Sequence, residues 1–539
     1  MLFPVNAMML DGIIGNFQDG IWKSVKRILI ALMIPASFVL IFLLYYGSRY
    51  GLSSLLDISL PAYFKDYKEE TMQSPVESGI YKTITSEKIK FDGLFDSGKE
   101  CFLSIDPSSM KAPFKIYVYD MTSFFNRDQV ECLYKYPRQY QGCYKFSDCG
   151  MGPEIYRING VKMDINQDQL CDFSVRETHM FSLEVIIHYK LLSSPYRTLK
   201  PEEADAFYVP VYFGLHYMCD YYPQGSGTWM LQHLFSFLTH QPYFNKGLLH
   251  FTTFGRTLHD LHSDVIPVIQ NYHANSLVFM SIEDEFEPNW IDFIKIHDIR
   301  SFTLPYPSYV HLISCYSTNS NQTSFNQRND TTSRINRGTE RNVFVLLAMG
   351  QRELTPLRER LESQFRIQTD ESHEEYFNKR PVGAKEDMVL LHTNPCVEPV
   401  IHITTRWLTN SVFCLQPGGL TPSRKSVYDS IQSGCIPVLF KDSRPIILAF
   451  PDKIPYKDFT VTIPEEHVVT NTTSVLSYLK AISRTRIVQM QLNMRRVQKF
   501  LQYSVMDGVV RTEHDDAVKL ILEEIGYILT INNVTRNKQ

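Results

Sequence analysis

The stretch from Phe413 to Phe440, FCLQPGGLTPSRKSVYDSIQSGCIPVLF, decides the fold, because it reads as strand, glycine turn, helix and strand in succession. The apolar run Ser411 to Leu415 stops at Gln416-Pro417-Gly418-Gly419. Pro removes a backbone donor and paired Gly permits positive φ, so the strand ends there. Thr421 or Ser423 is placed to cap a helix from Arg424 to Ser433, with Val427, Tyr428 and Ile431 at helical spacing. Gly434 stands where a helix end commonly turns left-handed, and Ile436 to Phe440 is a short buried strand. A strand passing through a Gly-rich turn into a helix aims backbone N–H groups and the positive helix end at one point, which favours a phosphate or diphosphate. Arg424 and Lys425 add positive charge, and Asp429 is spaced to accept hydrogen bonds from a ribose or sugar hydroxyl. An ordinary βαβ unit with a solvated Arg-Lys-Asp face fits the same pattern.

The order FCLQPGG, TPS, helical acid, GCIPV resembles the C-terminal motif of the exostosin-like glycosyltransferases, glycosyltransferase family 47. Phe181 to Tyr212, FSLEVIIHYKLLSSPYRTLKPEEADAFYVPVY, is similar to the family's N-terminal block. KIYVYDM at Lys115 to Met121 resembles its first strand, and Pro242-Tyr243, His250-Phe251 and His259-Asp260 match its PY…HF…HD series. The resemblance runs from about Lys115 to Leu501 and implies a nucleotide diphosphate sugar as donor substrate, with no required cofactor, and inversion at the anomeric carbon. Departures are visible too. Leu249 stands where the family often has Asp, Ser426 where many members have Arg, and Asp429 where part of the family has Glu.

The wider chain is consistent with such an enzyme. Its 539 residues, 44% apolar and 13% aromatic, suffice for two α/β domains. A net charge of −4 argues against general nucleic-acid binding. Ile28 to Tyr46 is an uncharged apolar run long enough to span a bilayer. Lys23, Lys26 and Arg27 precede it and only Arg49 follows closely, so the positive-inside rule leaves the N-terminus cytosolic. A signal anchor is expected rather than a cleaved signal peptide. The remainder is then luminal, in the Golgi or alternatively the endoplasmic reticulum.

Cys132, Cys143, Cys149 and Cys171 cluster in a loop-like region and are candidates for one or two disulfides among themselves. No zinc spacing is evident, and no metal site is expected. Cys414 and Cys435 read as buried free thiols in core strands. Asn321, Asn329, Asn471 and Asn533 open glycosylation sequons.

The expected organisation is a cytosolic tail (1–27), an anchor (28–46), a stem (47–110), an N-terminal acceptor-side α/β domain (111–316), a polar linker or insertion (317–341), and a C-terminal nucleotide-sugar domain with terminal helices (342–539). Two Rossmann-like domains facing across a cleft, the GT-B type, follow from the alternation of strands and helices. Ligands in such sheets bind beyond the carboxyl ends of the strands. The donor side therefore comprises Gly350, Arg352, Gly418, Gly419, Thr421, Ser423, Arg424, Lys425 and Asp429. Arg358 matches a family arginine, a solvated helix Arg being the alternative.

Transfer needs stabilisation of a leaving diphosphate and a base for the acceptor hydroxyl. Helix ends and arginines meet the first need without a metal; Glu283-Asp284-Glu285 reads as a solvated loop. Candidate bases are His216, Asp220 and Asp260. The acceptor is a glycan, a cell-wall polysaccharide or a proteoglycan chain. Homo- or hetero-oligomers with related transferases are open, and a catalytically silent luminal subunit or glycan-binding partner is the alternative function.

Overall fold

Two runs of branched and aromatic residues, each interleaved with helices, give two parallel sheets. The structure is a computed structural model describing residues 112–136, 144–162, 169–219, 226–257, 277–283, 300–317, 341–350, 355–365, 388–392, 398–419, 421–504 and 516–536. In the first half lie β1 (Ile116–Val118), α1 (Arg127–Lys135), β2 (Glu154–Lys162), β3 (Gln169–Arg176), α2 (Leu183–Leu192), β4 (Arg197–Thr198), β5 (Ala206–Tyr208), α3 (Phe213–His216), α4 (Ser226–Thr239), α5 (Pro242–Asn245), β6 (Leu249–Thr257), β7 (Leu277–Glu283), β8 (Arg300–Thr303) and β9 (Val310–Ser317). The second half carries β10 (Val343–Met349), α6 (Pro356–Phe365), β11 (Met388–His392), α7 (Glu398–Asn410), β12 (Ser411–Gln416), α8 (Lys425–Gln432), β13 (Ile436–Lys441), β14 (Val461–Pro464), α9 (Glu465–Val469), α10 (Val475–Lys480), α11 (Arg484–Gln498) and α12 (Ala517–Arg536).

The first sheet has the order β4-β1-β5-β6-β7-β8 and the second β11-β10-β12-β13-β14, parallel throughout. Every residue of β7 and β12 is buried, as strands covered by helices on both faces require. In the second sheet the chain goes from β10 outward to β11 and returns on the other side to β12. That reversal falls at β10 and β12, and α/β sheets bind ligands beyond the strand ends at such a point.

A third, antiparallel sheet of order β2-β3-β9 was not expected from the sequence. Part of the Cys132–Cys171 stretch is therefore sheet rather than loop. Its period-two signal is short, with Cys171, Phe173 and Val175 buried on one face, and bulges interrupt β2. The disulfide expectations are corrected as well. Cys132 pairs with Cys219, Cys171 with Cys315 across β3 and β9, and Cys414 with Cys435. Cys132 and Cys171 thus bond to distant partners that sheet pairing and helix packing bring alongside, which sequence proximity cannot reveal. Cys414 and Cys435 are buried but bonded, because β12 and the start of β13 are neighbours. Cys149 is also in a disulfide, and Cys143 lies outside the described residues.

The terminal helices α10 and α11 are separated at Ala481–Ser483, where the Ser483 side chain caps α11. The C-terminal segment crosses back to the first half. Lys190 of α2 donates to Asp516 at 2.7 Å, and the other Asp516 oxygen caps α12 through the Val518 N–H. Tyr503 donates to the Pro305 carbonyl. One continuous buried cluster joins Phe251 and Ile186 to Leu415, Tyr428 and Ile521.

No helix among the described residues is long and apolar enough to cross a membrane. The 28–46 segment lies outside those residues, as do the tail, the stem and most of the polar 317–341 stretch.

Candidate functional site

β12 ends at Gln416, and the turn beyond it receives two arginines. Arg358, on the helix that follows β10, donates from Nε to the Gly418 carbonyl at 3.1 Å. Arg424 donates from Nη1 to the Pro417 carbonyl at 3.0 Å. A Cβ on Gly419 would stand 3.2 Å from Arg358 Nη2, so glycine is what lets the guanidinium approach the backbone. Gly419 N–H closes the turn on the Thr421 carbonyl. Burial pushes the Arg424 guanidinium down to about 10, and the neighbouring Arg358 charge pushes the same way. The Asp429 charge acts the other way on Arg424, and the two guanidiniums stand at the point where the strand order reverses. Gly350 is half-buried at the end of β10; Arg352 lies outside the described residues.

The helix that follows is wired differently from expectation. Arg424 occupies the N-cap with no side-chain cap, so neither Thr421 nor Ser423 caps α8. Instead the Ser423 N–H donates to Glu283 Oε1 at 3.0 Å, and Thr421 Oγ1 donates to the Ser423 carbonyl. Lys425 is an expected phosphate ligand, but its ammonium is bonded to both Asp429 oxygens at 2.8 and 3.0 Å and lies 3.1 Å from the Tyr309 ring centroid. Asp429 also accepts from Ser308 Oγ and Tyr309 N–H in the loop before β9. In this structure Asp429 therefore clamps the two halves together. Ser426, at the position many relatives fill with Arg, donates to Gln416 Oε1, and Gln416 Nε2 donates to Ser430 Oγ, fixing α8 on β12.

Glu283 is a correction, since it is fully buried at the last position of β7 rather than in a solvated loop. Burial raises its carboxyl against the hydrogen bonds it accepts from the Ser423 N–H and Tyr306 OH. The signal was present in LVFMSIE, where one acid ends an otherwise apolar strand.

Of the base candidates, Asp220 and Asp260 lie outside the described residues. His216 is 1% exposed and donates from Nδ1 to Gln129 Oε1 at 3.1 Å. Glu184, in the middle of the apolar FSLEVII run, accepts from the N–H groups of Gly214, Leu215 and Gly255. It thereby ties α2 to α3 and to the carboxyl end of β6. Burial pushes its carboxyl up to about 8 despite those donors. His250 donates from Nδ1 to the Leu248 carbonyl and accepts from Tyr119 OH; burial lowers it to about 4, so it is a neutral core histidine.

Among the described residues no group of three or more His, Cys, Asp or Glu is placed to hold a metal. Asn471 is exposed in a turn with φ of 60°. Asn533 lies within α12, and Asn321 and Asn329 fall outside the described residues.

The Exostosin GT47 domain model matches residues 110–479. A probable xyloglucan galactosyltransferase of Arabidopsis thaliana is 25% identical over 438 residues, covering 79% of this chain and 85% of that protein. Another of the same description and organism is 26% identical over 76% of this chain and 82% of its own length. A probable beta-1,4-xylosyltransferase of the same plant is 25% identical over 64% of this chain and 78% of its own. Among solved structures, a pneumococcal O-GlcNAc transferase in complex with UDP and GlcNAc aligns with 55% of this chain and 60% of its own at 10% identity and a TM-score of 0.28, too distant to bear on the reading.

Proposed function

The chain belongs to the Exostosin GT47 family and is a hexosyl- or pentosyltransferase, and from that premise we propose a membrane-anchored, inverting enzyme of the GT-B type. It moves one sugar from a nucleotide diphosphate donor to a cell-wall polysaccharide or related glycan. The observation that carries the donor assignment is the meeting of Arg358 and Arg424 on the Gly418–Gly419 turn. The acceptor oxygen attacks the anomeric carbon, the bond to the diphosphate oxygen breaks, and the acceptor proton passes to a base. Charge gathering on the diphosphate falls to the two guanidiniums, which fixed donors stabilise without reorganisation. Metal-independent transfer is part of the proposal on that ground.

For the base we favour Asp220 and Asp260, which follow β5 and β6 in the chain, over His216, whose ring is buried against Gln129. Golgi residence as a single-pass type II protein with a luminal catalytic part is supported by the apolar 28–46 run and by disulfides typical of an oxidising compartment.

The test is a thermal-shift panel of nucleotide sugars on the full chain, followed by NMR of the product's anomeric configuration. A donor that binds only the folded state must raise the melting temperature. Stabilisation by one nucleotide sugar and an inverted product are expected. Retention of configuration would overturn the mechanism, and no stabilisation by any donor would favour the silent subunit.

A further inference from the structure

The donor turn is bounded by one buried ionisable group that the transfer mechanism leaves unused. Glu283 closes β7 in the first half of the chain, yet its carboxylate reaches into the second half and accepts the Ser423 N–H at 3.0 Å. Tyr306 OH stands 3.5 Å from the other oxygen. Both of these donors are neutral. No lysine, arginine or histidine forms an ion pair with Glu283 among the described residues, whereas the nearby Asp429 has Lys425.

A fully buried carboxylate without a counter-charge is costly, and hydrogen bonds offset only part of that cost. Its place explains what it does there. The turn from Gly418 to Ser423 is the segment on which Arg358 and Arg424 converge, and Gly419 N–H bonds the Thr421 carbonyl within it. A diphosphate seated on the two arginines would lie beside a second anion that shares the same turn.

We propose that Glu283 is an affinity-setting residue of the donor site. Its carboxylate occupies the Thr421–Ser423 end of the turn, holds the turn against the acceptor-side domain, and weakens nucleotide binding through charge repulsion. Rapid release of the nucleoside diphosphate product is the advantage this gives to a turnover cycle. The inference rests on the donor assignment made above and extends it to a residue of the opposite domain.

The sign of the effect distinguishes this role from simple scaffolding. A residue that only supports the turn loosens ligand binding when it is changed; a repelling anion tightens it. UDP, GDP and ADP are titrated calorimetrically into the full chain in detergent micelles, with Glu283→Gln and Glu283→Met compared against wild type. Removing one unit charge from the turn that holds a diphosphate in a partly buried site is expected to tighten binding about tenfold. Both variants must show it, and donor turnover limited by product release should slow with them. The second variant replaces the carboxylate by an apolar group of similar length, so that one misfolded variant does not decide the matter. Unchanged or weaker binding in a variant that melts cooperatively overturns the role of Glu283 while leaving the donor site standing. Failure of wild type to bind any of the three nucleotides overturns the donor assignment itself.

Discussion

At the carboxyl end of the second sheet two guanidiniums, Arg358 and Arg424, share one glycine turn, whereas the Glu184 carboxylate, buried beside the carboxyl end of β6 in the first sheet, accepts three backbone N–H groups. Both sheets are parallel and both reverse strand order, so the backbone plan alone does not separate them. The side chains beyond the strands do. Like charges left together on one turn mark a place for an anion, whereas a carboxylate ringed by three backbone N–H groups is already satisfied and marks scaffold. Fold-level symmetry thus says where a ligand can bind, and the proposal assigns the diphosphate to the end whose turn carries the two arginines.

That contrast can be broken most severely at the arginines. Arg358→Ala and Arg424→Ala are each expected to lower kcat/KM for the donor by about 10²- to 10³-fold, as loss of one transition-state donor does. Steady-state kinetics with the cooperative melt retained is the check. A loss of tenfold or less would mean that the turn is ordinary scaffold.

Next in size is the Cys414–Cys435 bond, which closes a loop with a sequence separation of 21 around the whole turn and α8. Replacing both cysteines by alanine is expected to cost about 3 kcal/mol, by the loop-entropy estimate. Denaturant unfolding measures it, and an equal cost on removing Cys171–Cys315 would not alter the comparison. Increased donor KM only for the Cys414/Cys435 pair would sharpen it.

The smallest effect belongs to the first sheet. Glu184→Gln keeps one acceptor oxygen and loses the other, for about 1–3 kcal/mol of stability. Burial holds its folded value at about 8, above the ordinary 4.5. The folded state therefore binds more protons between those values, so this contribution is present below the unfolded value and is lost as pH rises through the folded one. Wild-type stability should fall from pH 5 to 8 relative to Glu184→Gln. Parallel pH profiles for the two proteins would contradict the assignment.

Much of the fold was legible where local and tertiary demands agree. The stretch Phe413 to Phe440 reads as it folds, with β12, α8, positive φ at Gly434 and β13 in their expected places. The two-domain α/β fold followed from the same alternation. The antiparallel sheet was missed because β2 carries bulges and pairs with β3 and β9 at different sequence ranges. Disulfide partners were missed for the same reason. At the site, Gly418, Gly419 and Arg424, which the sequence placed on one side of the sheet, converge with Arg358, for which a solvated helix arginine was the alternative. The Lys425–Asp429 pair lies four residues apart on one helix, but its docking on the first half was not legible, because Ser308 and Tyr309 lie more than a hundred positions upstream. Glu184 was visible only as a lone acid in an apolar run and Glu283 as the first of three acids at the end of one, patterns whose meaning depends on which N–H groups the fold brings to them.

The account's central claim is that this chain transfers a sugar by using the arginine-bearing turn of its second sheet. The direct measurement is mass spectrometry of cell-wall oligosaccharides after incubation with the full chain and each nucleotide sugar, wild type beside the Arg358→Ala/Arg424→Ala double variant. A gain of one hexose or pentose unit with wild type, absent with the folded double variant, is the predicted result. Transfer that persists in the double variant, or donor binding by wild type with no transfer to any acceptor tried, would contradict it.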